Sequence, residues 1–235
     1  MKILVLAGEQ SGENYAKEII SHFPETVDVK TYADYGFTVA DLAVMGFWPV
    51  IKRLFFFLRV KRTMLRAIDE FKPDVVLTID YPGMNIPLAS HAKKRGIRTV
   101  HVVSPQVWAW KKWKIPEIER TFDRLCCFFP FEPLYYRKGF AVFVGHPLFD
   151  AFAKFSRLPK EPRLLAMLPG SRVYEVQRHM PVFAEVIKSL NDPELKVVIP
   201  AANKRVRRVI EKFALAPNVE IADAGARELL LRSTC

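Results

Sequence analysis

The sequence predicts an α/β protein built on parallel sheets. Three observations carry that expectation. Short apolar runs alternate with amphipathic stretches along the whole chain, beginning with KILVLAG at 2–8. Three of these runs, 100–103, 125–129 and 142–144, halt at Ser104–Pro105, at Pro130 and at Gly145–His146–Pro147. Parallel strands bring such stops to one sheet edge, where α/β proteins bind ligands. After His146–Pro147 the chain reads as irregular and proline-bearing through Pro162, and a new β–α alternation starts at Arg163. The expected organisation is one Rossmann-like domain over 1–150, a linker, and the opening of a second over 163–235.

The first strand, 2–6, runs into AGEQSGE (7–13) and a helix reaching about His22. Small residues ahead of a helix N-terminus suit a phosphate- or sugar-binding loop, with Ser11, Gly12 and Glu13 as candidates. The spacing is neither GxGxxG nor a Walker loop, and an ordinary tight βα turn fits equally. A weaker strand follows at 27–31, then irregular chain, then a helix over 50–71.

On a helical wheel, Val50, Leu54, Phe57, Leu58 and Leu65 share one arc, expected to face inward. Lys52, Arg59, Arg62 and Arg66 share the opposite arc, with Phe55 and Phe56 among them. Phenylalanines amid cations fit a helix lying on an anionic bilayer surface; the alternative is that another part of the fold covers them.

The strand 75–79 ends at Asp80, and YPGMN turns into a helix to Arg95. A carboxylate at the end of a parallel strand points into the crevice, where a general base acts, so Asp80 is the candidate; a helix cap is the alternative. His146 lies just past another strand at the same expected edge and is the second candidate. Between them, Ser104, Gln106 and Trp108 lie in an aromatic, basic loop, SPQVWAWKKWK, whose tryptophans either pack the core or meet a ligand. In the second alternation, a strand at 163–168 leads through Pro169–Gly170–Ser171–Arg172 into a helix over 175–190. Strands at 195–200 and 219–222, a basic helix at 204–214 and a helix start at 226–231 complete it.

Of the 235 residues, 50% are hydrophobic and 26% charged, which fits a soluble globular chain with one large or two small cores. The net charge of +11 accommodates nucleic acid, an anionic membrane or a phosphorylated substrate. Cys126 and Cys127 are neighbours in one strand and Cys235 stands far off, a pattern without disulfide or metal spacing that suits a reducing cytosol. No signal peptide is expected, and the greasiest window, 42–60, is interrupted by Pro49, Lys52, Arg53 and Arg59.

Seven stretches in order, AGEQSGE (7–13), LAVMGF (42–47), PDVVLTIDYPGMN (73–85), HVVSPQVWAWK (101–111), FPFEPLYY (129–136), VGHPL (144–148) and LPGSR (168–172), resemble the lipid A disaccharide synthases. These are inverting glycosyltransferases of the two-Rossmann, GT-B type. The resemblance implies transfer of 2,3-diacylglucosamine from UDP-2,3-diacylglucosamine to 2,3-diacylglucosamine 1-phosphate, without cofactor or metal. It implies Asp80 as the base, Gly170, Ser171 and Arg172 on the diphosphate, and an acceptor-side first domain. It further implies a peripheral location on the cytoplasmic face of the inner membrane, and a homodimer at full length. Two departures stand out. The segment KTYADYGFTVAD (30–41) is shorter than the family's, and the chain stops where the nucleotide-binding domain has barely begun. A non-catalytic membrane-binding fragment is therefore the alternative. A nucleic-acid-binding module is disfavoured, because the cations are scattered and no fingerprint accompanies them.

Overall fold

The structure, a computed structural model, describes residues 1–42, 53–153, 159–213, 216–223 and 226–234. It divides into two compact units, Met1–Pro147 and Leu148–Cys235.

The first unit contains β1 (Lys2–Ala7), α1 (Gln10–Ser21), β2 (Asp28–Lys30), the short α2 (Val39–Leu42) and α3 (Leu54–Phe71). It continues with β3 (Val75–Ile79), α4 (Pro82–Lys93), β4 (Arg98–Val102), α5 (Ile115–Thr121), β5 (Arg124–Cys127) and β6 (Ala141–Phe143). All six strands are parallel, in the order β2-β1-β3-β4-β5-β6. The chain leaves β1 toward β2, then crosses to β3 on the other side. The topological switch point of the sheet is therefore the gap between the ends of β1 and β3.

Both faces are covered, which explains why the strands read as continuous apolar runs rather than alternating ones. Ile3, Val5, Leu77, Ile79 and Val102 meet α1 through Ala16. Leu4, Leu6 and Val76 face the other way, onto Met64 and Ile68 of α3 and Leu88 of α4. Farther along that face, Phe122, Leu125 and Phe140 pack with Ile118 of α5. The paired cysteines obey the same alternation: Cys127 is buried in the α5-side cluster, and Cys126 packs against the α1 side. Burial pushes the Cys127 thiol up to about 12, so it behaves as a small core residue.

The inward arc of α3 is shifted from the expected one, of which Phe57 and Leu65 do pack against the core. Val60, Met64, Ala67, Ile68 and Phe71 are buried, whereas Leu54 and Leu58 are 49% and 39% exposed. The partners decide this: Tyr32, Phe37 and Leu42 join the sheet in a cluster on the Val60–Met64 side. Of the arginine-side phenylalanines, Phe55 is 87% exposed, but Phe56 is half-buried, edge-on to Phe37 at 6.0 Å. Val50 and Lys52 lie outside the described residues.

The second unit comprises α6 (Leu148–Ala153), β7 (Leu164–Ala166), α7 (Val173–Leu190), β8 (Lys196–Pro200), α8 (Lys204–Ile210), β9 (Val219–Ala222) and α9 (Ala226–Arg232). Its three strands are parallel in the order β7-β8-β9. Val176, Met180 and Ile187 of α7 and Val206 and Ile210 of α8 pack on one face, and Leu229 of α9 on the other. The helix α6 stands where the sequence reading expected irregular chain; Asp150 in its first turn complements the helix dipole.

Candidate active site

The end of β3 is held in an unusual backbone conformation. Asp80 and Tyr81 both adopt left-handed backbone, with φ of 49° and 51°. Such a conformation costs a non-glycine residue about 1–2 kcal/mol, so neighbouring structure must hold it. Asn85, fully buried in the first turn of α4, does so. Its amide donates to the Asp80 carbonyl at 2.7 Å and to those of Leu6 and Ile79 at 3.2 and 3.4 Å. Its Oδ1 accepts from the Tyr32 hydroxyl at 3.3 Å. Burial drives the Tyr32 phenol well above its ordinary pKa, which keeps it protonated as a donor. The Asp80 N–H donates to the Val102 carbonyl at 2.9 Å. One amide side chain thus ties the ends of β1 and β3 to the turn. The half-buried Asp80 carboxylate has no hydrogen-bond or ion-pair partner among the described residues.

Tyr81 closes the switch point. A Cβ built on Gly8 would lie 2.2 Å from the Tyr81 ring, and the tyrosine hydroxyl donates to the Leu42 carbonyl at 3.3 Å. The Tyr81 ring therefore leaves Gly8 no room for a side chain. Gly12 is buried where α1 meets the sheet, and a Cβ there would make ordinary contacts of 3.5 Å with Ala7 and the Ile79 carbonyl. Ser11 is exposed on the same turn, and Glu13 is half-exposed with an ion pair to Lys17 at 3.0 Å.

At the end of β4, Val103 is also left-handed, with φ 73°, a strained state for a β-branched residue. Ser104 is buried, 4% exposed, and its hydroxyl lies 3.1 Å from that of Tyr136. It braces the loop from beneath. Gln106 is exposed, and Trp108 is 37% exposed with its ring edge-on to Phe131 at 5.3 Å. Past β6, the half-buried His146 ring lies 5.0 Å from Phe128, 6.0 Å from Phe129 and 6.3 Å from Tyr15 of α1. The structure thus brings Ser11, Asp80, Gln106, Trp108 and His146 to the same edge of one sheet.

In the second unit, Gly170, Ser171 and Arg172 form the turn into α7, and Glu175 occupies it. Its Oε2 accepts from the N–H groups of Ser171 and Arg172 at 3.2 and 3.3 Å, and its Oε1 pairs with the Arg172 guanidinium at 2.8 Å. The Arg172 contacts hold the Glu175 carboxyl below its usual range. Gly170, at φ 113°, has no room for a side chain, because its Cβ would meet Glu175 Oε2 at 2.7 Å. The turn is an anion cradle in which a carboxylate of the chain itself sits.

The sequence reading missed Gly8–Tyr81, Asn85 and Glu175. Only Glu175 left a local trace, since it stands three residues past the Arg172 cap. Among the described residues, no helix is long and apolar enough to cross a membrane, and no cluster of His, Cys, Asp and Glu is placed to hold a metal ion.

Residues 3–229 match the family described as lipid-A-disaccharide synthetase. The lipid-A-disaccharide synthase of Alcanivorax borkumensis is 38% identical, over 97% of this chain and 67% of the relative. Lipid-A-disaccharide synthase 1 of Legionella pneumophila is 32% identical over 86% and 59%, and the Escherichia coli O1:K1 enzyme 32% over 99% and 69%. The chain therefore spans roughly two thirds of the length of these relatives. Among solved structures, the S. aureus MnaA–UDP co-structure superposes with a TM-score of 0.65 at 15% identity, over 96% of this chain and 69% of that one. UDP-GlcNAc 2-epimerase from Neisseria meningitidis, bound to UDP-GlcNAc, gives a TM-score of 0.57 at 12% identity, over 98% and 74%. At such identities the likeness establishes the fold, parallel sheets of Rossmann-like type. Matched over nearly its whole length, the chain belongs to the lipid-A-disaccharide synthetase family of hexosyltransferases.

Proposed function

We propose that the chain carries the base and part of the donor site of an inverting hexosyl transfer in lipid A biosynthesis. The 6-hydroxyl of 2,3-diacylglucosamine 1-phosphate attacks C1 of UDP-2,3-diacylglucosamine. A β-1,6 O–C bond forms, the C1–O bond to the diphosphate breaks, and UDP leaves with the electron pair. Asp80 takes the hydroxyl proton as the bond forms. The observation that carries this reading is the uncommitted Asp80 carboxylate, on a strained turn at the switch point whose backbone Asn85 holds. The Ser11, Glu13, Gln106 and Trp108 side chains around it are the acceptor surface. Gly12 and Ser104 support that surface from within. Arg172 and the amides of Ser171 and Arg172 take the diphosphate once Glu175 gives way.

The N-terminal end of α3 is the membrane contact of this reading. Leu54, Phe55 and Leu58 are exposed there, and Arg59, Arg62 and Arg66 follow on the outward face without a carboxylate partner among the described residues. Apolar residues backed by cations suit an anionic bilayer, here the cytoplasmic face of the inner membrane.

The test uses a protein of the relatives' full length that contains this chain. Asp80→Asn lowers turnover by about 10²–10⁴-fold with donor affinity nearly unchanged, whereas Arg172→Ala lowers both. Near-normal turnover in Asp80→Asn, together with its loss in a folded His146→Ala, assigns the base to His146 instead.

A further inference from the structure

The loop after β4 and the turn after β5 carry a surface that the chemistry above leaves unused. Trp110 and Trp113 are 60% and 75% exposed, and Leu134 is 84% exposed. Indole rings this exposed are unusual on a soluble surface, where Trp is highly buried on average. The rings are interleaved with cations. The Lys111 ammonium lies 3.9 Å from the Trp110 ring centroid and the Lys112 ammonium 5.7 Å from that of Tyr135. The second contact joins the loop to the turn, and the Trp108–Phe131 edge contact joins them again. Neither Lys111 nor Lys112 has a carboxylate partner among the described residues.

We propose that this patch, Trp110, Lys111, Lys112, Trp113, Leu134 and Tyr135, is a second membrane anchor that inserts at the headgroup level of an anionic bilayer. Tryptophan and tyrosine prefer that level because one end of each ring is apolar and the other is polar. The ammonium groups that lie over the Trp110 and Tyr135 rings meet lipid phosphates at the same level. Leu134 supplies a purely apolar tip. Single-stranded nucleic acid would also stack on tryptophan and bind lysine. An exposed leucine beside the rings gives such a ligand nothing, whereas acyl chains gain from it.

Topology places the patch on the same side as the exposed start of α3. In a parallel sheet, a helix that leads into a strand begins at the edge where the strands end. The start of α3 and the segments after β4 and β5 are therefore all at the C-terminal edge of the six-stranded sheet. A flat bilayer laid on that edge meets both, and two modest contacts on one plane bind far more tightly than either alone. This inference rests on the membrane contact proposed for α3 and does not depend on the transfer reaction.

The test is partition of the chain into vesicles of phosphatidylglycerol and phosphatidylcholine, some with brominated acyl chains that quench tryptophan. Trp110→Ser with Trp113→Ser is expected to weaken partition about tenfold, since burial at an interface is partial, and to abolish most of the quenching. Lys111→Glu with Lys112→Glu is expected to weaken it about 25-fold or more, from about fivefold per lysine. Unchanged thermal unfolding checks that each variant folds, as expected for such exposed side chains. Phe55→Ser with Leu58→Ser is the parallel arm for α3. If that arm abolishes partition while the tryptophan and lysine variants bind as the wild type does, the second anchor is refuted and α3 alone carries binding. Failure of the wild type to partition refutes both contacts. Loss of single-stranded oligonucleotide binding in the tryptophan variant, with vesicle partition intact, replaces the bilayer by nucleic acid.

Discussion

Asn85→Ala isolates the element that holds the candidate base. The asparagine amide has two N–H bonds and shares them among three carbonyls, the closest being Asp80 at 2.7 Å. Its Oδ1 also accepts from the buried Tyr32 hydroxyl. Counting two good hydrogen bonds at about 1 kcal/mol each, with a further ~1–2 kcal/mol for groups left buried without partners, the loss is about 3–4 kcal/mol. The left-handed backbone at Asp80 and Tyr81 stores about 2–4 kcal/mol by the per-residue cost above. The two quantities are comparable, so removing Asn85 both destabilises the first unit and frees the turn to relax. Equilibrium urea unfolding followed by circular dichroism reads the first effect. Proton exchange at the Asp80 amide, which the wild type protects through Val102, reads the second. A stability loss below about 1 kcal/mol with an equally protected Asp80 amide refutes the reasoning. The turn would then be held by the strands and Tyr81 alone.

Three further outcomes follow from the same geometry. His101 is wholly buried, stacked on Phe122, with Nδ1 2.6 Å from the Thr78 hydroxyl and Nε2 unpartnered among the described residues. Burial lowers its pKa to about 3, so below the unfolded value of about 6.5 the unfolded chain takes up a proton that the fold refuses, and stability falls as pH drops between those values. The fall approaches about 1.4 kcal/mol per pH unit from this one group; His101→Phe removes that slope in unfolding titrations, and an unchanged slope assigns it elsewhere. Gly8→Ala pushes the Tyr81 ring off the switch point and is expected to cost about 1–3 kcal/mol in thermal unfolding; Gly8→Ala with Tyr81→Ala recovers part of it, and no recovery means that the backbone itself was strained. Glu175→Ala removes the capping carboxylate, costing about 1 kcal/mol of stability, while UDP titration by calorimetry shows tighter binding; weaker binding means that Glu175 shapes the turn rather than occupying it.

What the sequence determined by itself was everything written in local periodicity and short motifs. The apolar runs of β1, β3 and β8 read as parallel strands because, past the lysine that opens β1 and β8, nothing in them needs solvent on either face. Asp80 stands at the end of β3 and Arg172 in the turn after β7, and both positions are legible from the chain alone, as are the seven stretches that carry the family resemblance. Tertiary structure decided what depends on a partner distant along the chain. The wheel of α3 is two-sided in composition, with leucines on one arc and phenylalanines on the other. Only the cluster of Tyr32, Phe37 and Leu42 selects the Val60–Met64 side for burial and turns Leu54 and Leu58 outward. That Gly8 has no room for a side chain becomes visible only when Tyr81, contributed by a different strand end, is found lying on it. Asn85 is one polar residue at the start of a helix, and nothing local distinguishes it from a solvent-facing one. Its role exists only because the ends of β1 and β3 and the Tyr32 hydroxyl converge on its amide. Periodicity encodes which residues share a face. Which face is covered, and which buried polar group satisfies which backbone, is settled when distant segments meet.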